Sequence, residues 1–475
     1  MCPTGRYHVA CLDTLPGLIP RFSRLVSMRQ IYKSLYRHGL TNRDAWKERA
    51  LIWLAAAATG LIVVVFSKLT EHAISFFNST TASHRWIPLL MCPAAGIVIA
   101  WLTRRFFAGA EGSGIPQVIA ALREDLPEQK LGLYVSLRIA FGKIALGVAG
   151  VAAGFSTGRE GPSVQVGASV MHFFGRFLPT HAQRCNRHLI LAGGAAGIAA
   201  AFNTPLAGIV FAIEELGRRF EEKTNGVLIS AIVLAGLISI SIQGNYIYFG
   251  RLGVASADYR ILWPVLVCAL ICGLAGGLFS RMLIKGARPD NTRLGRWRTV
   301  HPFLWAGLCG LMVALLGFVS HGASHGSGYL VTHDTLDGTM NMAWYYAPVK
   351  FMATVFSFLS GIPGGIFAPS LAVGVGIGSN LHPLLTDVSA VSIYALCMAG
   401  FLAAVTQAPL TSFIIVMEMI DGHEMVISLM AVAMLASLIS RLFGRPLYSA
   451  LADLQLERAG KPALPSPEAK QTPTP

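Results

Sequence analysis

The residues Gly158-Arg159-Glu160-Gly161-Pro162-Ser163-Val164-Gln165-Val166-Gly167 are matched 207 positions later by Gly365-Ile366-Phe367-Ala368-Pro369-Ser370-Leu371-Ala372-Val373-Gly374. Five of these ten positions are identical, and the match needs no gap. In a second matching pair, residues 195–215 and 399–419 share six of twenty-one positions at an offset of 204. Because the two offsets nearly agree, we expect two halves with the same internal order of elements.

The composition indicates the environment of these halves. Hydrophobic residues make up 53% of the 475, charged residues only 13%, and the mean hydropathy is +0.56. A membrane helix needs about 18 apolar residues or more. Stretches without Asp, Glu, Lys or Arg that reach this length include 50–67, 86–103, 189–213, 225–250, 262–280, 351–386 and 388–417. Seven such stretches argue against a soluble enzyme and predict an all-α, polytopic membrane protein.

Two of these stretches, 351–386 and 388–417, are too long for one span and contain Pro or Gly. We expect broken or re-entrant helices there, which a membrane protein tolerates where protein or a water-filled cavity satisfies the backbone. Internal repeats with interrupted apolar segments are typical of proteins that carry a solute across the bilayer.

The net charge of +14 arises mostly between the apolar stretches, which does not fit a nucleic-acid surface. By the positive-inside rule, the basic segments 1–50, 104–105, 218–223 and 281–298 are predicted to be cytoplasmic. We therefore expect a bacterial inner-membrane protein with both termini in the cytoplasm. The thirteen His and eight Cys form no metal-binding or disulfide pattern, so neither a cofactor nor a metal is expected.

The repeat is predicted to be inverted. The 195–215 copy ends in Glu214-Glu215 and leads into a basic loop, whereas the 399–419 copy leads into a loop with Asp421 and Glu424 and no Lys or Arg before Arg441. Inverted halves place the starts of broken helices near the bilayer midplane, facing each other. Helix N-termini carry partial positive charge and unpaired N–H groups, so such starts form an anion site.

Four Gly- or Pro-marked segments are candidates for these starts: 112–116 (GSGIP), 158–162 (GREGP), 364–369 (GGIFAP) and 445–448 (RPLY). The candidate donors are the hydroxyls of Ser113 and Tyr448 and the backbone N–H groups of Ile366 and Phe367. Taken alone, the Ser113 segment is equally an ordinary helix cap, and Tyr448 is equally an interfacial tyrosine.

Glu160 stands at the start of an apolar helix, where an ionised carboxylate costs roughly 2.5–3.5 kcal/mol or more unless it is compensated. The helix start compensates this charge, so the carboxylate competes with an anion for one place. A bound anion pushes the neighbouring carboxylate toward its neutral form, which couples proton binding to anion binding. The alternative is a structural Glu160 paired with Arg159.

With these motifs in this order, the chain resembles the CLC family of chloride channels and chloride/proton exchangers, of the prokaryotic type without C-terminal regulatory domains. The resemblance implies the inverted-repeat CLC fold, a homodimer with one pore per subunit, and an anion held by Ser113, Ile366, Phe367 and Tyr448. It also implies that Glu160 is the gating carboxylate. The supporting positions are Gly112, Gly114, Gly158, Arg159, Gly161, Pro162, Gly365 and Pro369.

By the same resemblance, Glu215 matches the internal proton-transfer glutamate of the exchangers, and Glu214 beside it shapes a water entry. The alternative for both is a solvated helix end paired with Arg218 or Arg219. Glu215 favours an exchanger, since channel members usually carry an apolar residue there.

The sequence therefore predicts a chloride/proton antiporter in contact with membrane lipid, and the alternative is a passive chloride channel of the same family. A membrane-embedded enzyme would need a nucleophile or metal cluster, which the sequence does not show, and nothing calls for Glu160 in a purely structural scaffold. The expected divisions are a cytoplasmic segment 1–45 with an interfacial helix at 22–40, a transport domain 46–450 with halves 46–220 and 221–450, and a disordered tail 451–475.

Overall fold

The computed structural model describes residues 43–124, 126–178, 186–217, 225–244, 247–250, 259–288, 292–458 and 460. Nearly all of these residues are helical, and no strand occurs among them. The α-helices, in chain order, are α1 (Arg43–Ala82), α2 (Ile87–Phe106), α3 (Ile115–Leu122), α4 (Leu137–Ala152), α5 (Glu160–Gly175), α6 (Asn186–Phe202), α7 (Pro205–Phe211), α8 (Asn225–Gln243), α9 (Leu262–Ala287), α10 (Arg293–Val300), α11 (Pro302–Val319), α12 (Tyr329–Leu336), α13 (Tyr346–Leu359), α14 (Phe367–Leu381), α15 (Ala390–Thr406), α16 (Pro409–Ile420), α17 (Val426–Ser440) and α18 (Leu447–Arg458).

The repeat is visible helix by helix. Each helix from α1 to α8 has a counterpart in the order α9, α11, α12, α13, α14, α15, α16 and α17. The short helices α3 and α12 both have 8 residues, and α6 and α15 both have 17. Helices α5 and α14 both begin inside the first repeated motif, at positions 207 residues apart. The all-α fold with two matching halves is thus as the sequence predicts.

The predicted helix breaks are present. The stretch 351–386 is divided between α13 and α14 by a turn at 360–366, and 388–417 is divided between α15 and α16 at Gln407 and Ala408. Six helical segments in the described ranges are long and apolar enough to cross a membrane. Three of them contain α4, α11 and α17, which lie outside the seven charge-free stretches named from the sequence.

Helices α5 and α14 lie in the interior. All residues of α5 from Glu160 to His172 are buried, and so are all residues of α14 from Phe367 to Gly376. A helix that is buried on every side is typical of the centre of a membrane protein. Helix α5 packs mainly on α6, and α14 mainly on α15, so each half presents one deeply buried helix start.

The boundary predicted at residue 450 is too early. Helix α18 continues to Arg458, and its residues Leu451, Asp453 and Leu454 are buried. These residues are ordered because α18 packs against α3. The remaining predicted tail, the interfacial helix at 22–40 and the basic loop at 218–223 lie outside the described residues. By contacts the chain divides into residues 1–49 and 50–475, and the candidate site belongs to the second unit.

Candidate functional site

Three glycine-rich loops meet at the starts of α3, α5 and α14. Gly158 and Gly365 exchange backbone hydrogen bonds of 2.8 and 2.7 Å. Gly112 donates to the carbonyl of Ile362 at 3.2 Å and accepts from the amide of Gly364 at 3.0 Å. These are the two isolated β-bridges of the described residues, and they bring GSGIP, GREGP and GGIFAP to one place.

Two hydroxyl groups face each other at this meeting point. Ser113 is 2% exposed, and Tyr448 is fully buried at the start of α18. The two hydroxyls lie close enough to interact, but neither oxygen has a well-formed hydrogen bond to any described residue. Buried polar groups in proteins are normally satisfied, so such a pair indicates a site for a ligand.

The start of α14 supplies backbone donors to the same place. Ile366 is the residue before the helix and Phe367 its first residue, and both are buried. The first N–H groups of a helix have no partner within it, so they point outward as donors. The Phe367 ring lies parallel to the ring of Tyr448, with a centroid distance of 6.0 Å and an angle of 6°. This contact holds the phenol close to the helix start.

Glu160, the first residue of α5, is 1% exposed, and its carboxylate lies beside the backbone amide of Ala368 in α14. One carboxylate oxygen has no hydrogen-bond partner among the described residues. A Cβ atom at Gly158 would collide with this oxygen, and one at Gly161 would collide with the Ser113 hydroxyl. Glycine at these two positions therefore leaves the room that both polar groups occupy.

Arg159 has a specific partner of its own. Its guanidinium forms an ion pair of 3.0 Å with Glu71 of α1 and donates at 3.0 Å to the carbonyl of Ser67. Glu71 also pairs with Lys68 at 3.2 Å. Arg159 therefore interacts with two carboxylates, those of Glu71 and Glu160, and pairing with Glu160 is not its sole role.

Glu215 is 2% exposed and lies in a π-helical segment, Ala212–Gly217, that continues α7. π-Helical turns within helices are frequent at functional sites, because they redirect side chains. Tyr448 lies within electrostatic range of both Glu215 and Glu160, so its phenol stands near both carboxylates.

Glu214, which the family resemblance links to a water entry, is hydrogen-bonded to backbone amides in the structure. Its two carboxylate oxygens accept from the backbone amides of Leu410 at 3.1 Å and Thr411 at 2.7 Å, at the start of α16. Glu418 does the same for α7, accepting from Leu206 at 3.3 Å and Ala207 at 2.8 Å. Each glutamate therefore caps a helix of the other half.

Two cavities approach the meeting point. The Glu160 cavity, of about 620 Å³, is lined by Glu160 and Arg159 together with Lys68 and Glu71. The Ser113 cavity, of about 510 Å³, is lined by Ser113 and Glu111 and by three arginines, Arg104, Arg298 and Arg458. In the Ser113 cavity three arginines outnumber Glu111 and raise the local concentration of anions, whereas Lys68 and Arg159 of the Glu160 cavity are balanced by Glu71 and Glu160.

The structure adds a relationship that the sequence analysis missed. Gly326-Ser327-Gly328, before α12, matches Gly112-Ser113-Gly114 in sequence and in its two positive-φ glycines, 63° and 84° against 63° and 99°. Lys143 donates to the carbonyls of Ala110 and Gly112 at 2.7 and 2.8 Å, and Lys350 to those of Ser324 and Gly326 at 2.9 and 2.7 Å. The two lysines are 207 residues apart and fully buried. The identical GSG triplets were the available signal.

The converging groups suit a small monovalent anion. Hydroxyls and helix-start amides donate hydrogen bonds without a full positive charge in contact, so the anion is stabilised and still able to leave. No cluster of His, Cys, Asp or Glu in the described ranges fits a metal ion.

Residues 95–441 match the sequence profile of the voltage-gated chloride channel family. The chain is 31% identical over 439 residues to an H⁺/Cl⁻ exchange transporter of Cronobacter sakazakii, covering 87% of this chain and 91% of the relative. It is 30% identical over 457 residues to the exchange transporter of the same name from Citrobacter koseri, covering 89% and 93%.

Solved structures agree in fold. A slow cyanobacterial Cl⁻/H⁺ antiporter has a TM-score of 0.75 at 23% identity, covering 87% of this chain and 98% of the antiporter. A CLC-type fluoride/proton antiporter has a TM-score of 0.70 at 23% identity, covering 85% and 96%. With its repeated helices, its converging glycine loops and these matches, the chain is a multi-pass membrane protein that belongs to the CLC family of voltage-gated chloride channels and exchangers.

Proposed function

We propose that the protein is an antiporter that exchanges chloride for protons. The observation that carries this proposal is the buried hydroxyl pair of Ser113 and Tyr448, whose oxygens form no well-formed hydrogen bond with any described residue and which lies at a helix start that a titratable carboxylate also reaches. The H⁺/Cl⁻ exchange transporters to which the chain is 30–31% identical support the same substrates.

In this proposal chloride is held by the hydroxyls of Ser113 and Tyr448 and by the amides of Ile366 and Phe367. Ser113 lines one cavity and Glu160 lines the other. In the proposal, the hydroxyls control access to the anion from the first cavity, and the Glu160 carboxylate controls access from the second. The Glu160 carboxylate beside the Ala368 amide occupies a place that an anion would take. When a proton neutralises it, the helix start no longer attracts the side chain, and chloride replaces it.

Glu215 is proposed to deliver protons from the Tyr448 side. Glu215 is buried and lies within the π-helical segment Ala212–Gly217. It is also within electrostatic range of the Tyr448 phenol, which is proposed to contact the anion. A proton that moves between Glu215 and Glu160 would pass the anion site. This shared route explains how the two fluxes become linked.

We infer that the Ser113 cavity opens to the cytoplasm and the Glu160 cavity to the outside of a bacterial inner membrane, because Arg298, which belongs to the basic segment 281–298, lines the Ser113 cavity. Both termini are then cytoplasmic, and the lipid-facing transport unit is proposed to pair with a second copy, with one pore in each subunit. The transport domain is proposed to begin near residue 46 and to include all of α18.

Purified protein in chloride-loaded liposomes tests the proposal. The external pH is followed while chloride leaves down its gradient in the presence of a potassium ionophore that dissipates the voltage. Proton uptake against its own gradient is expected from an antiporter, whereas chloride efflux without proton movement would instead show a passive channel.

A further inference from the structure

Helices α3 and α18 carry the two hydroxyls of the anion site. Ser113 lies just before α3, Tyr448 is the second residue of α18, and the two helices pack against each other. The Ser113–Tyr448 separation therefore depends on how firmly α18 is fixed on α3. How firmly α18 is fixed depends on the other contacts between these two helices.

One carboxylate joins the two helices. Asp453 of α18 has a side chain only 7% exposed, and its two oxygens pair with different arginines. Arg123, the residue that follows α3, lies 3.2 Å from one oxygen, and Arg445, which precedes α18, lies 2.9 Å from the other. A buried carboxylate costs free energy unless it is paired, so this bridge resists separation of the helices.

Helix α18 also forms a wall of the Ser113 cavity. Leu451, Leu454, Gln455 and Arg458 line that cavity, and Gln455 accepts from the Tyr134 hydroxyl at 3.1 Å. Asp453 lies between these lining residues along the helix. A shift of α18 away from α3 would separate Tyr448 from Ser113 and widen the path to them at the same time.

We propose that Asp453 is a positioning residue: by bridging Arg123 and Arg445 it sets the distance between the Tyr448 and Ser113 hydroxyls and so the affinity of the site for chloride. This inference rests on the proposed function, because it takes the hydroxyl pair as the chloride site. The inference goes further than the proposed function in one respect: when the Asp453 bridge is broken, we expect chloride to leave the site without proton exchange.

The test replaces Asp453 with Asn, which keeps the shape and removes the ion pairs. Calorimetric chloride binding is expected to weaken roughly three- to tenfold, within the range for residues coupled in one network. In liposomes the number of chloride ions moved per proton is expected to rise. Glu457→Gln, at an exposed position of the same helix, removes an equal charge and is expected to change neither quantity.

Three further variants distinguish an effect of side-chain position from an effect of charge. Asp453→Asn combined with Arg445→Gln restores the net charge, so a return to native binding would overturn the proposal. Arg123→Gln breaks only the link between the helices and is expected to reproduce the weakened binding. The Arg123 side chain is 29% exposed, so its replacement should disturb folding less than that of the buried Asp453. Arg123→Gln therefore tests the proposal even if the Asp453 variant does not fold. Asp453→Glu is expected to recover part of the affinity.

Calorimetry measures chloride binding and does not require transport. The antiporter function and the positioning role of Asp453 can therefore be contradicted independently of each other. A wild-type protein that binds chloride but moves no protons would contradict the antiporter while leaving the Asp453 comparison intact. Native chloride affinity in both Asp453→Asn and Arg123→Gln would overturn the positioning role, whatever the transport mode.

Discussion

Gly158 and Gly365 donate hydrogen bonds to each other's carbonyl oxygens, at 2.8 and 2.7 Å, and they are equivalent positions of the two repeats. Reciprocal antiparallel pairing between equivalent residues requires a local two-fold axis between them. The reciprocal caps of Glu214 and Glu418, which are 204 residues apart, obey the same symmetry. The two halves are therefore inverted about an axis that passes between Gly158 and Gly365.

Glu160→Gln is expected to abolish proton movement and to keep chloride flux. Glutamine has nearly the same shape but takes up no proton, so it is no longer attracted as a charge to the start of α14. Proton and chloride fluxes are measured in the same liposomes. Glu71→Gln, which alters another acid of the Glu160 cavity, should retain proton movement; equal proton flux in Glu160→Gln would remove this residue from the mechanism.

Glu215→Gln is expected to uncouple the two fluxes, with chloride transport continuing and proton transport falling by at least about tenfold, because the proton loses its carrier on the Tyr448 side. The chloride-to-proton ratio is the readout. An unchanged ratio would contradict the role of Glu215 and favour another proton route.

Tyr448→Phe keeps the parallel ring contact with Phe367 and removes only the hydroxyl. A hydrogen bond to a charged group contributes about 1.5–3 kcal/mol, so chloride binding should weaken by roughly tenfold or more. Isothermal calorimetry on the detergent-solubilised protein gives this value. Tyr394→Phe, on α15 outside the site, serves as the control, and native affinity in Tyr448→Phe would exclude the phenol as a ligand.

Lys143→Met and Lys350→Met form a matched pair, because the two lysines are symmetry equivalents. Each change removes a donor from two buried carbonyls, of which the Gly112 carbonyl keeps the Gly364 amide, and should lower the free energy of unfolding by about 1–3 kcal/mol. Only the Lys143 loop carries Ser113, so only Lys143→Met should also weaken chloride binding. Thermal unfolding and calorimetry measure the two effects, and equal loss of binding in both variants would refute the distinction.

Glu214→Gln and Glu418→Gln should destabilise the protein by similar amounts, about 1 kcal/mol each, because each removes a charged cap from an equivalent helix start. Unfolding midpoints report this. Proton coupling should survive in Glu214→Gln, in contrast to Glu215→Gln. A selective loss of proton flux in Glu214→Gln would restore the water-entry interpretation.

Much of the fold was predictable. Charge-free stretches located most of the membrane helices, and their excess length at 351–386 and 388–417 predicted the breaks before α14 and α16. Helices α4, α11 and α17 lie outside the stretches named from the sequence. The domain boundary predicted at residue 450 was too early because α18 is short and mixes polar with apolar residues. This helix is held by packing against α3, which hydropathy does not reveal.

The site was predictable as a set of residues but not as a set of contacts. The sequence named Ser113, Glu160, Phe367 and Tyr448, and the fold brings them together. It did not indicate that Arg159 pairs with Glu71, or that Glu214 caps α16. Both partners lie on helices far away in sequence, so local pattern carried no information about them.

The sequence by itself determined that the protein is a helical membrane protein made of two related halves, because hydropathy and repetition are properties of the chain alone. Only the tertiary structure decided which copy of each motif forms the site. The two GSG loops are alike in sequence and backbone, but Gly112 pairs with the loop before α14, whereas Ser327 lines the Glu160 cavity. The choice follows from α18, which has no counterpart in the other half and packs Tyr448 against the Ser113 loop through α3.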